Sequence, residues 1–225
     1  MSGDEIAESA LPKAIHGSYV LVTAAFNEEA YIEETITSVL AQLLPPSTWV
    51  IVSDGSTDRT DEIVHRYAMS HSFIHFIRRN KDENRGFASK VLALRVGLES
   101  IILGQTQFIG HLDADVSFDR FYFRDLLNKF TADATLGIAG GCCTERIGVE
   151  FRPPPWNSTA SIPGGIQMFR RKCYQDIGGL LPIEYGGEDW YAEIMARKSG
   201  WQVRSPPAWS SRSEWRTRRP LLSTR

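Results

Sequence analysis

The sequence contains few cysteines and none in a metal-binding spacing. Three of the 225 residues are cysteines. Two of them, Cys142 and Cys143, are adjacent, and no C-x-x-C spacing occurs. This pattern excludes a disulfide-rich scaffold and gives no zinc signature. It favours a reducing, cytoplasmic compartment.

Long apolar runs and an excess of one charge are also absent. No stretch approaches the roughly 18 uninterrupted apolar residues of a membrane-spanning helix. Met1–Ala10 is acidic and polar, unlike the apolar centre of a signal peptide. The 25 basic and 27 acidic residues give a net charge of −2, so no global basic field indicates a nucleic-acid partner. We therefore expect no membrane span and no nucleic-acid binding.

What is present is the composition of a globular protein, with 42% apolar and 23% charged residues. We divide the chain into an N-terminal extension (1–17), one large domain (18–203) and a basic C-terminal tail (204–225). The tail has six arginines and one acid. It is expected to be irregular, so that deleting residues 208–225 should shift the thermal midpoint by only a few degrees. Its charge offers a route to peripheral contact with the inner face of a membrane.

Strand-like and helical runs alternate along the large domain. Strands are predicted at Ser18–Ala24, Trp49–Ser53, Phe73–Ile77, Phe108–Leu112 and Gly137–Thr144. Helices are predicted from a cap at Asn27 to Pro45, around 60–67, at Ala88–Leu103, around 123–130, at Arg171–Ile177 and at Glu188–Ser199. This alternation predicts an α/β fold with three layers (α/β/α) and a mostly parallel central sheet.

The turn Asp113-Ala114-Asp115 directly follows a predicted buried strand. In an open parallel sheet, ligands collect at the carboxyl ends of the strands. Two carboxylates separated by one small residue suit Mg²⁺ or Mn²⁺, which keep coordination positions open for the oxygens of substrate phosphates. The alternative is that Asp115 only caps a helix beginning near Ser117.

Two further polar segments lie at the same predicted edge. Asp54 ends the second strand and could accept hydrogen bonds from a nucleobase, or could be only a turn residue. Arg85, in Asn84-Arg85-Gly86, precedes a helix N-terminus, where free backbone N–H groups attract anions. Its guanidinium would add a charge-assisted contact.

Two glycine-rich segments lie further along the chain. Glu188 and Asp189 follow Gly186-Gly187 at a predicted helix start, where they either serve a ligand site or simply complement the helix dipole. The run from Gly164 to Arg171 is predicted to be a strand that forms an acceptor-side wall or an edge strand.

Taken in order, these motifs resemble glycosyltransferase family 2 over roughly residues 18–203. The motifs are Ala25-Phe26-Asn27-Glu28-Glu29, Val52-Ser53-Asp54-Gly55-Ser56-Thr57-Asp58, Asn84-Arg85-Gly86, Asp113-Ala114-Asp115 and Gly187-Glu188-Asp189-Trp190. The resemblance implies the Rossmann-like A-type glycosyltransferase fold. It also implies an inverting, EC 2.4-type hexosyl transfer from a UDP- or GDP-sugar, with Mn²⁺ or Mg²⁺.

The resemblance also implies roles for individual residues. Asp189 would be the catalytic base, with Glu188 beside it, and Asp115 would bind the metal. The nucleotide sugar would contact Ala25, Phe26, Glu28, Asp54, Arg85, Asp113 and Ala114. The acceptor would be a saccharide or a lipid-linked molecule.

Two alternatives stay open. All five histidines precede Asp115, whereas family members often supply a metal-binding histidine after the base. Together with the arginine-rich end, this leaves a truncated or inactive nucleotide-sugar-binding relative as one alternative. A nucleotidyltransferase is the other, although Asn27-Glu28-Glu29 stands where such an enzyme has a basic, glycine-rich phosphate loop.

Overall fold

The computed structural model describes residues 18–80, 86, 88–147, 150–152, 161–162, 164–205 and 214–217. The strands are β1 (Tyr19–Ala25), β2 (Thr48–Asp54), β3 (Ile74–Arg79), β4 (Phe108–Leu112), β5 (Val116–Phe118), β6 (Leu136–Ala139), β7 (Cys142–Ile147), β8 (Glu150–Arg152), β9 (Ile166–Arg170), β10 (Gln202–Arg204) and β11 (Glu214–Thr217). The helices are α1 (Ile32–Leu40), α2 (Thr60–Ser70), α3 (Ala88–Glu99), α4 (Tyr122–Ala132), α5 (Arg171–Asp176) and α6 (Glu188–Lys198). None of the described helices is long and apolar enough to cross a bilayer.

The main sheet has the strand order β10-β6-β9-β4-β1-β2-β3. β1 pairs in parallel with β2 and β4, β2 with β3, and β6 with β10. Of the strands described in this sheet, only β9 runs antiparallel, between β4 and β6. The predicted α/β fold with a mostly parallel sheet is therefore confirmed, and β1, β2 and β4 end at one edge.

Helices cover both faces of the sheet. Neighbouring residues of each strand point to opposite faces, so each strand packs against both helical layers. In β1, Leu21 packs with α1, α2 and α4, while Val22 packs with α3, α5 and α6. Both side chains are fully buried, as expected for a strand between two helical layers. This produces the predicted three layers.

Several local expectations are wrong. Asn27 does not cap α1, which begins at Ile32; its backbone has a φ of 55°, and its side-chain oxygen accepts the Thr57 N–H at 2.8 Å. No helix begins near Ser117, because residues 116–118 form β5, so the helix-cap interpretation of Asp115 fails. The predicted strand at 137–144 is divided into β6 and β7, which lie in different sheets.

The C-terminal segment is not irregular throughout. Arg204 lies in β10, which pairs with β6. β11 pairs in parallel with β7 and antiparallel with β5, inside a second sheet of order β5-β11-β7-β8. The segment has no apolar periodicity, but backbone hydrogen bonds to strands distant in sequence need none. The division into domains itself stays a prediction.

Candidate functional site

A cavity of about 260 Å³ lies at the edge of the sheet where β1, β2 and β4 end. Its walls contain residues from four distant parts of the chain. They are Ala24, Ala25, Phe26, Glu28, Asp54, Lys90, Asp113 and Asp115. Six of the residues proposed from the sequence therefore line one space, since parallel strands bring their carboxyl ends together.

Two neighbouring elements orient the Asp54 carboxylate. Arg79, at the end of β3, donates a hydrogen bond of 2.7 Å to Oδ1, and the Ser89 hydroxyl, in the first turn of α3, donates to Oδ2. Asp54 is buried, so these charge-assisted contacts compensate for its loss of water. The carboxylate is thus held in one orientation at the cavity wall.

The loop after β1 is fastened to the turn after β2. The Glu28 N–H donates to the Thr60 hydroxyl at 2.7 Å, and the Glu28 carbonyl accepts the N–H groups of Tyr31 and Ile32 at the start of α1. The Asn27 N–H donates to the Ser56 hydroxyl at 3.2 Å. These bonds fix the backbone that carries Phe26 and Glu28 into the cavity.

The Asp113-Ala114-Asp115 turn is fastened on both sides. The Asp113 N–H donates to the Gly165 carbonyl at 2.9 Å, and the Thr35 hydroxyl donates to the Ala114 carbonyl at 2.8 Å. Asp113 and Asp115 line the cavity, whereas the Ala114 side chain is buried in the core. Ala114 therefore acts on the site only through its backbone.

Lys90 is a site residue that the sequence interpretation missed. Its ammonium nitrogen lies 2.6 Å from Asp113 Oδ1 and 3.7 Å from Glu188 Oε1. It thereby connects the acids after β4 with the acids that begin α6. A lysine in the first turn of a helix interacts unfavourably with the helix dipole. This unfavourable position is the feature of the sequence that could have identified Lys90 as a site residue.

The ionic contacts around Lys90 perturb the titration of both partners. Burial alone would lower the pKa of Lys90, but the carboxylates of Asp113 and Glu188 raise it above its usual value. Burial raises the pKa of Asp113, Lys90 opposes that rise, and the nearby Asp115 carboxylate adds to it. Lys90 is therefore a permanent positive charge in an acidic cavity.

The predicted base motif begins α6, beside the cavity. Gly187 precedes the helix with a φ of 88°, a conformation that favours glycine. Asp189 Oδ1 accepts the Trp190 N–H at 2.7 Å, and a Cβ at Gly164 would lie 2.7 Å from Asp189 Oδ2. The Gly164 backbone therefore lies directly against the Asp189 carboxylate.

The segment from Gly164 to Arg171 contains β9, which lies between β6 and β4 in the main sheet. Because β9 is an internal strand, the edge-strand interpretation of this segment is wrong.

The acidic turn fits a divalent cation that is bound by protein carboxylates and by a substrate phosphate. Asp113 and Asp115 place two carboxylates on one cavity, and Mg²⁺ commonly uses one or two carboxylates plus substrate phosphates. Within the described residues, no group of three His, Cys, Asp or Glu side chains forms a complete metal site. Arg85, the remaining predicted site residue, lies outside the described residues.

Residues 20–187 match the family model described as glycosyl transferase family 2. The chain belongs to this family. In sequence, this family 2 chain is 31% identical over 118 residues to a poly-β-1,6-N-acetyl-D-glucosamine synthase of Staphylococcus aureus (strain COL). It is also 31% identical over 121 residues to the Staphylococcus epidermidis synthase. Each match covers 52% of this chain and 26% of the relative.

Solved structures of glycosyltransferases show the same fold. The mannosyltransferase PcManGT of Pyrobaculum calidifontis, in complex with GDP-Man and Mn²⁺, matches with a TM-score of 0.68 and 20% identity, over 91% of this chain and 58% of that one. S. aureus TarS in complex with UDP-GlcNAc matches with a TM-score of 0.68 and 16% identity, over 92% and 60%. The A-type glycosyltransferase fold is therefore confirmed for this family 2 chain.

Proposed function

We propose that this chain is the catalytic part of an inverting glycosyltransferase that moves a sugar from a UDP- or GDP-sugar to an acceptor hydroxyl. The observation that carries the proposal is the position of the Glu188–Asp189 pair beside the acidic cavity, joined to it through Lys90. A direct displacement needs a donor site and a base next to each other, and we assign the donor site to the cavity and the base to Asp189.

The donor would occupy the cavity at the end of β1, β2 and β4. Asp54 has both carboxylate oxygens oriented, and we assign it to the nucleobase. Phe26 lines the cavity as an apolar surface for the base or ribose, and Asp113 lies nearest Lys90. Asp115, with Asp113 beside it, would hold a divalent cation, Mn²⁺ or Mg²⁺, and that cation would neutralise charge on the departing diphosphate.

The transfer itself uses the start of α6. Asp189 accepts the proton of the acceptor hydroxyl while that oxygen forms a bond to the anomeric carbon. The bond from this carbon to the diphosphate oxygen breaks on the opposite face, so the configuration inverts. Lys90 keeps a positive charge between the donor acids and Glu188, which limits the repulsion between anionic groups.

We infer the acceptor from sequence similarity to relatives rather than from contacts in the structure. The relatives with 31% identity are named for polymerising N-acetylglucosamine, so a saccharide acceptor is our first choice. A lipid-linked acceptor, reached by peripheral contact at the inner face of a membrane, is the other. The chain spans about a quarter of these relatives' length, so the whole protein's product is part of the proposal.

A donor panel tests this function. We would measure UDP or GDP release from UDP-N-acetylglucosamine, GDP-mannose and related donors, with Mn²⁺, with Mg²⁺ and with a chelator. We expect cation-dependent release from one donor and none above background in an Asp189→Asn variant. Binding without release from any donor would indicate an inactive relative. Release of pyrophosphate from a nucleoside triphosphate would indicate a nucleotidyltransferase.

A further inference from the structure

Glu193 is a buried carboxylate on α6, one helical turn beyond the proposed base. It is 1% exposed, and burial raises the pKa of its carboxyl, although its hydrogen bonds oppose that rise. It does not line the cavity. A buried carboxylate is costly to keep unless its oxygens are bonded, so its partners indicate what it is for.

Two of the three partners of Glu193 lie in the segment that leads into β9. Its Oε1 accepts the backbone N–H of Ile162 at 2.7 Å and the hydroxyl of Ser161 at 3.2 Å. Arg197, one turn further along α6, donates to Oε2 at 3.2 Å. A single side chain therefore fastens the segment before β9 onto the helix that carries Asp189.

The same segment contacts both halves of the proposed active site. Gly164 lies against the Asp189 carboxylate so closely that a Cβ there would be 2.7 Å from Oδ2. Gly165 accepts the Asp113 N–H through its carbonyl at 2.9 Å. Ile162 fills the space that a Cβ at Gly140 would occupy, which fixes the start of the segment against the end of β6.

We propose that Glu193 is a positioning residue, which holds residues 161–162 so that Gly164 sets the place of Asp189 and Gly165 sets the place of Asp113. The inference rests on the proposed role of Asp189 as the base. Glu193 does not line the proposed donor cavity. It acts by keeping constant the distance between the base and the acids of the donor cavity.

Amide hydrogen exchange tests the positioning without any substrate. In Glu193→Ala we expect the Ile162 amide to exchange about 10-fold faster, since its charge-assisted acceptor is lost. The Asp113 amide, whose acceptor is Gly165, should also exchange several-fold faster. Glu193→Gln retains an oxygen that can accept the Ile162 N–H and should restore both rates to within about 3-fold. Faster exchange at Ile162 with unchanged exchange at Asp113 would overturn the proposal.

A matched variant separates positioning from general loss of stability. Ala196→Gly weakens the same helix at a buried position whose side chain is not bonded to residues 161–162. It should speed exchange within α6 and leave the Asp113 amide unchanged. If Glu193→Ala does not fold, Ser161→Ala removes one bond from the other side and should change both amides in the same direction by a smaller factor. Equal effects of Ala196→Gly and Glu193→Ala on Asp113 would also refute positioning.

Kinetics then connect the segment with the reaction. With UDP-N-acetylglucosamine or GDP-mannose, whichever releases more nucleotide, kcat should fall about 10-fold in Glu193→Ala, because misplacing a catalytic group is costly. The Kd for UDP or GDP should change less than kcat, because Asp113 is one of several residues that line the donor cavity. A loss of nucleotide affinity larger than the loss of kcat would contradict the proposal. Full turnover in Asp189→Asn would refute the base assignment alone, because the exchange measurements judge Glu193 independently.

Discussion

The three residues that follow β4 occupy three different surroundings, and this decides what each can do. Asp113 faces Lys90, Ala114 is buried in the core, and Asp115 lines the cavity. Because the Lys90 ammonium already contacts Asp113, the two acids are not equivalent. Asp115 is therefore the carboxylate that we assign to the metal, with Asp113 beside it.

Replacing Asp115 by alanine should abolish the Mn²⁺-dependent part of nucleotide binding. The cation would lose a carboxylate at the cavity wall, while the contacts of Asp54 would stay intact. Calorimetry with UDP and GDP, with and without Mn²⁺, measures this part directly. Asp125→Ala, which removes an acid of α4 outside the cavity, serves as the control. Unchanged metal-dependent affinity in Asp115→Ala would remove the assignment.

Replacing Asp189 by asparagine should slow transfer while donor affinity stays within a few-fold. General-base assistance is worth about 10²–10⁴-fold, or roughly 3–5 kcal/mol of barrier. Single-turnover transfer and nucleotide titration separate the two effects. Glu188→Gln is the matched control and should lose less. If Glu188 proves essential and Asp189 dispensable, the base assignment is wrong by one residue.

His111 should make the protein less stable as the pH falls. Burial and the nearby Lys90 charge lower its pKa from 6.5 to about 3 in the folded state. Between these values the unfolded chain binds a proton that the folded protein does not, so the free energy of unfolding falls as pH drops. One such group contributes at most about 1.4 kcal/mol per pH unit.

His111→Leu tests this effect. Neither ring nitrogen has a hydrogen-bond partner within the described residues, and the ring packs against Phe169 and Tyr174. An apolar side chain should therefore preserve or increase stability at pH 7 and flatten the dependence on pH between 6.5 and 4.5. Denaturant titrations at several pH values measure both. An unchanged slope would show that another group is responsible.

At the scale of elements, α3 packs unusually close to β1 and β2. A Cβ at Gly97 would lie 2.5 Å from Val22 Cγ1 and 2.9 Å from Val52 Cγ2. Glycine thus allows the helix backbone to approach the sheet. Because Ser89 and Lys90 lie in the first turn of the same helix, this packing also places two contacts of the site.

Gly97→Ala should therefore destabilise the protein, although alanine is normally the better helix former by about 1 kcal/mol. Overpacking a core costs about 1–3 kcal/mol, which outweighs the gain in propensity. Thermal unfolding should show a lower midpoint. Gly86→Ala, whose Cβ would meet Glu184 O at 3.8 Å and no other described atom within 4 Å, is the control and should change stability little. A higher midpoint in Gly97→Ala would contradict the close packing.

At the scale of the whole molecule, the C-terminal segment returns to the middle of the chain. β11 lies between β5, which follows the acidic turn, and β7, which follows β6. Strands separated by about 70–100 residues are thus joined in one small sheet through their backbones. The segment therefore contributes to the structure next to the donor acids, contrary to the expectation of an irregular tail.

Deleting residues 206–225 should lower the thermal midpoint by about 4–8 °C, more than the shift expected from sequence. Losing a few backbone hydrogen bonds costs roughly 2 kcal/mol, and 1 kcal/mol moves the midpoint of a domain this size by about 2–4 °C. Deleting only 218–225, which keeps β11, should have a smaller effect. Equal midpoints for the full chain and both deletions would show that β11 adds no stability.

Motif order and apolar periodicity were sufficient to identify the family and the fold. Buried strands such as β1 and β4 are mostly apolar, because helices cover both faces of a parallel sheet. Acids follow them at the carboxyl ends of the strands, which is the edge where such sheets bind ligands. These are local patterns, readable without knowing which segments meet. The placement of Asp54, Asp113 and Asp115 on one cavity follows from the same rule, while their roles stay predictions.

Local patterns could not predict contacts between segments that are far apart in the chain. Lys90 with Asp113 and Glu188, Glu193 with Ile162, and the pairing of β11 each join residues separated by more than 20 positions. Short strands such as β5 and β10 likewise form because a neighbour supplies backbone partners. Such contacts depend on how the chain folds back on itself, since hydrogen bonds and ion pairs require proximity in space and leave no periodic trace in the sequence.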